Sequence, residues 1–164
     1  MKSRYQEGDW FAVPLVSNGF ALGVVARSKH PRRRSIALGY FFGPELQEIP
    51  TLTIAQTLAP GDAILVCRFA NDVIRDGAWP IIGRLSSWDR AAWELSEIIV
   101  KDILLPMNWS IHLDVEDPSR EIGRVRSSAT VDHRVRAGLV DGFWVAGTLT
   151  SYLRRGGGAV PYLP

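Results

Sequence analysis

A single cysteine, Cys67, is all that the chain carries, so an internal disulfide is excluded and a reducing, cytoplasmic setting fits. It stands in an apolar run, where a free thiol packs as a small hydrophobe. Histidine is scarce too. His30, His112 and His133 are never two at ligand spacing, and no metal or other cofactor is expected. No window approaches the roughly 20 apolar residues that cross a bilayer. The opening residues have no apolar segment behind Lys2 and Arg4, so they do not read as a secretory signal. Internal repeats and low-complexity segments are missing. The run Gly156-Gly157-Gly158 follows a helical pattern instead of preceding one, which excludes a phosphate cradle there. A net charge of only +2 gives no strong pull toward nucleic acid.

What is present is globular. With 46% hydrophobic and 22% charged residues, 164 residues suffice for one domain with a full core. Asn18-Gly19 between two apolar runs signals a hairpin with a type I′ turn. On the next run Phe20, Leu22, Val24 and Ala26 share one face, with Ala21, Gly23 and Val25 on the other. Ile36, Leu38, Tyr40 and Phe42 alternate likewise with Ala37, Gly39 and Phe41. Both faces are apolar, so the sheet is covered on both sides or curls into a barrel. Gly23 and Gly39 suit bending or the close approach of a large neighbour.

A fourth strand is predicted over 62–69, extended by Val73 and Ile74, and a fifth follows Trp79, with Pro80 marking an edge. Ser86 and Asp89 are spaced as a capping box for a helix over 88–97. Another strand is expected over 109–115, then a polar stretch without periodicity. Asp141 caps a last helix whose stripe includes Phe143, Val145, Ala146, Leu149, Tyr152 and Leu153. The fold expected is β-rich α+β. It would be a strongly bent antiparallel sheet or small SH3-like barrel, with the C-terminal helix packed on it through Phe143, Leu149 and Leu153.

The sequence resembles the immunity protein 26 family of bacterial polymorphic toxin systems. The resemblance is carried by Gly8-Asp9, the strand from Phe11 to Leu15, Phe20 to Arg27, and Leu38-Gly39-Tyr40-Phe41-Phe42. It continues in Asp62-Ala63, in Trp79-Pro80-Ile81-Ile82-Gly83 with Trp88 and Arg90, and in the helix entry Val140-Asp141-Gly142-Phe143. It divides the single domain into a family-like β core over 1–95, a divergent segment over 96–139, the helix over 140–155 and a tail over 156–164. The resemblance implies a mostly β fold, a toxin encoded beside the chain as partner, and no catalytic residues.

Candidate sites follow from aromatic and charge patterning. Of the six tryptophans, Trp10, Trp79 and Trp144 read as core, whereas Trp88 and Trp93 flank Asp89-Arg90 on a surface helix. Between Ser86 and Pro118 stand seven acidic residues, Asp89, Glu94, Glu97, Asp102, Asp114, Glu116 and Asp117, against two basic ones, a local net charge of −5. Such a stretch bearing Trp88 and Trp93 suits the basic active site of a nuclease toxin. The function expected is non-enzymatic binding and neutralisation of a cognate toxin by steric and electrostatic occlusion. The alternative is a nucleic-acid-binding module using the basic loop Arg32, Arg33 and Arg34, although no aromatics are interleaved there for base stacking.

Overall fold

A computed structural model describes residues 5–29, 35–94, 97–102 and 104–156 of the chain. Among the described residues nine strands form two sheets. The larger has six: β1 (Asp9–Pro14), β2 (Phe20–Ser28), β3 (Ile36–Leu46), β4 (Leu65–Ala70), β5 (Ile81–Arg84) and β9 (Val135–Val140), in the order β5-β1-β2-β3-β4-β9. The smaller is β6 (Ile98–Lys101), β7 (Asn108–Leu113) and β8 (Glu121–Ser127), paired in sequence order. The described residues also form three α-helices, α1 (Leu52–Ala55), α2 (Asp72–Arg75) and α3 (Gly142–Arg154). The fold is therefore β-rich α+β, as the sequence indicates, but the sheet stays open and the barrel is ruled out. All pairings are antiparallel except β4 with β9.

Strict alternation along β1 to β4 gives the six-stranded sheet two buried faces. Phe11, Val13, Ala21, Val25, Ala37, Phe41, Leu65, Cys67 and Phe69 build one core, beneath α3, Ile74 and Trp79. Trp10, Leu22, Val24, Leu38, Tyr40, Phe42 and Val66 build the other, beneath Ala55 and Trp93. Each large side chain moved from water into these cores contributes about 1.5–3 kcal/mol. Gly23 and Gly39 lie on the first face. A methyl group at Gly23 would meet the Phe11 ring at 2.3 Å, and one at Gly39 the Phe69 ring at 2.8 Å. The two glycines thus leave room for an aromatic cluster in which Phe11 stacks on Trp79 at 5.5 Å.

Several local expectations are corrected. The β1–β2 hairpin has a three-residue loop in which only Asn18 takes a positive φ, of 71°, because Leu15 already pairs with Gly19. Val73 and Ile74 do not extend β4 but lie in α2, which Asn71 opens by accepting the Ile74 and Arg75 amides on its carbonyl. The unpatterned polar stretch contains β8 and β9. In α3, Asp141 accepts the Trp144 amide at 2.7 Å as a helix cap. Leu149 is fully buried there and Leu153 partly so, but Phe143 is 81% exposed, so Val145 and Ala146 make the packing that Phe143 was expected to make. Among the described residues no helix is long and apolar enough to cross a membrane.

Candidate functional site

The residues over 86–94 form no helix. They are a turn-rich cover laid over the second core. The reason lies in the two tryptophans. Trp88 and Trp93 stack at 5.4 Å, whereas a spacing of five would turn them well apart around a helix. Trp93 is only 7% exposed and meets Trp10, Tyr40 and Phe42 nearly edge-on. Trp88 lies over Gly8, where a methyl group would be 2.6 Å from its ring. The positive φ of Gly8, 87°, belongs to the turn that brings the backbone under the indole. The Tyr40 hydroxyl donates to the Glu94 carbonyl and holds the far end of the cover.

Arg90 ties this cover to two other parts of the fold. Its Nε donates to Glu7 at 2.8 Å, one terminal nitrogen to Glu116 at 2.8 Å, and the other to the Val115 carbonyl at 3.0 Å. Glu116 first, and then Glu7, make its guanidinium hold its proton more firmly than usual. Beneath it, Arg27 is buried and donates to the Ala26 and Arg90 carbonyls. Burial, followed by the neighbouring Arg90 charge, lowers its pKa.

The seven carboxylates of the acidic stretch do not act alike. Asp102 accepts the Trp109 indole N–H at 2.7 Å and the Leu104 and Leu105 amides, and these bonds, the indole first, hold its carboxyl below the usual range. Asp114 pairs with Arg120 at 3.7 Å and accepts the Glu116 amide. Glu116 pairs with Arg90, and Asp117 with Lys29 at 3.0 Å. The Ser119 hydroxyl and then Lys29 lower the Asp117 pKa to about 2. Of the seven, Asp89, Glu94 and Glu97 are exposed and have no ion pair among the described residues. Four of the seven carboxylates are thus engaged within the chain, and Trp93 lies in the second core. Trp88 is partly buried at its border.

Glu7 and Arg90 were not recognisable as a brace, because 83 positions separate them in sequence. Among the described residues no cluster of three or more His, Cys, Asp or Glu could hold a metal ion. Cys67 is buried in the first core. Arg32, Arg33 and Arg34, on which the nucleic-acid alternative rests, lie outside the described residues, as does His30.

The arrangement so far is a braced aromatic cover that carries the exposed Asp89 and Glu94. Comparison with known families decides what kind of protein carries it. The family model described as immunity protein 26 matches residues 6–107, more than half of the chain. The chain belongs to the immunity protein 26 family. No curated protein and no solved structure gives a significant match. The family match spans β1 to β6 and the whole cover over 86–94, and it runs beyond residue 95, where the resemblance was expected to fade. The immunity-family region thus contains Gly8, Trp88, Arg90 and Trp93 together. Nothing in the comparisons supports the nucleic-acid alternative.

Proposed function

We propose that this protein binds a cognate bacterial toxin made by the same cell and neutralises it by covering its active site or its substrate path. Membership of the immunity protein 26 family is the observation that carries this reading. The role would be non-enzymatic and cytoplasmic, with no cofactor and no covalent chemistry. Asp89, Glu94 and Glu97, exposed and without an ion pair among the described residues, are the part of the acidic stretch that would meet a basic partner surface and steer association. Asp102, Asp114, Glu116 and Asp117 would keep that surface in shape through their internal partners. Trp93 would support it from beneath.

Co-expression with the product of the adjacent toxin-like gene tests this directly. Survival of the cells, with the toxin co-purifying through a tag on this chain alone, is the expected result. Replacing Asp89, Glu94 and Glu97 together by alanine is expected to slow association about tenfold or more at low salt. Survival without any complex would overturn neutralisation by binding. Unchanged association in the triple variant would move the contact away from this face.

A further inference from the structure

The strand β8 ends the three-stranded sheet. It pairs with β7 on one side, and among the described residues no strand lies along its other edge. Both of its faces are exposed: Ile122 is 59% and Val125 52% accessible, and Glu121, Arg124 and Arg126 are exposed as well. A free edge presents a row of backbone donors and acceptors ready to pair with another chain. Seven residues without proline make this edge about 23 Å long at roughly 3.3 Å per residue.

Its side chains restrict what can pair there. Glu121, Arg124 and Arg126 share one face, opposite Leu113, Ile111 and Trp109 of β7, with a bulge at Ile122, and Arg120 immediately precedes the strand. Arg124 pairs with Glu121 at 3.0 Å, an exposed pair that another carboxylate could exchange. Arg126 has no ion-pair partner among the described residues. Two copies of β8 pairing about a two-fold axis near its middle would set arginine against arginine. An axis at Arg124 opposes that residue to its own copy, and one at Val125 opposes Arg124 to Arg126. Like charges directly opposite destabilise a strand pair. β8 also bears no aromatic side chain on which a base could stack, which disfavours a nucleic acid.

We propose that the β8 edge is a docking site for an extended acidic segment of the partner protein, which adds to the small sheet as a fourth strand. Carboxylates at alternate positions of that segment would face Arg124 and Arg126, and an apolar residue between them would lie on the opposite face beside Val125. The arginines that refuse a second copy are the ones that select this occupant. The inference rests on the immunity reading and adds to it the mode of contact and the chemistry of the partner segment.

Hydrogen exchange, with and without the product of the adjacent toxin-like gene, tests it on the full chain. Amides over 121–127 are expected to slow about tenfold or more in the complex. Replacing Arg124 and Arg126 together by glutamate is expected to weaken binding about 100-fold, with circular dichroism and melting unchanged and with the paired lysine replacements largely retaining affinity. A stable complex in which exchange over 121–127 is unaltered would overturn this inference and leave the immunity reading intact. Failure of the native chain to bind that product at all would overturn both. A dimer of the chain alone, or binding of a single-stranded oligonucleotide, either one abolished by the glutamate replacements, would also overturn it by naming another occupant.

Discussion

Glycine explains more of this molecule than any charged residue does. Gly8 and Gly23 are needed where an aromatic ring occupies the volume of a side chain: Trp88 over the first, Phe11 over the second. At Gly23 the neighbour is the most buried part of an aromatic cluster and has nowhere to go. Gly23→Ala is therefore expected to destabilise the fold by about 1–3 kcal/mol through overpacking. Adding Phe11→Leu should recover part of that loss, since the smaller side chain vacates the contact. Urea midpoints of the two single variants and the double variant check this, and strict additivity would show that the ring is not what opposes the methyl group.

At the scale of elements, the fold is held together by side chains that tie distant turns. Arg90 joins the cover over 86–94 to Glu7 and to Glu116, and Lys29 at the end of the β2 hairpin joins Asp117 in the turn between β7 and β8. The Asp117 link has a calculable sign. Its carboxyl titrates at about 2 in the folded chain against an ordinary 3.8, so its stabilisation is complete above pH 3.8 and is withdrawn as pH falls toward 2. Lys29 is 47% exposed, so solvent screens the pair and the contribution is small. Asp117→Asn should flatten the loss of stability over that window. Urea midpoints of native and variant chains, followed from pH 5 to pH 2, measure it, and parallel curves would deny the link.

For the whole molecule, one sheet with two buried faces makes the two cores a single cooperative unit. Phe41 and Phe42 are adjacent in β3 but belong to opposite cores. Phe41→Ala and Phe42→Ala are each expected to cost about 3–5 kcal/mol and to lower one common transition. Far-UV circular dichroism and tryptophan fluorescence should coincide, since Trp79 reports on one core and Trp10 with Trp93 on the other. Two separated transitions would mean that the faces fold independently. By itself the sequence determined the alternation of β1 to β4, the burial of both faces, the edge position of β5 and the Asp141 cap, because each depends on residues close in the chain. Its motifs also carried the family. Only the tertiary structure decided that the sheet stays open, that Trp93 enters the core instead of riding a surface helix, and that Phe143 stands in solvent. It also decided which carboxylates are already paired. β8 was illegible because, exposed on both faces, it lacks the alternation that burial imposes on a strand, and its pairing with β7 is a property of the folded chain.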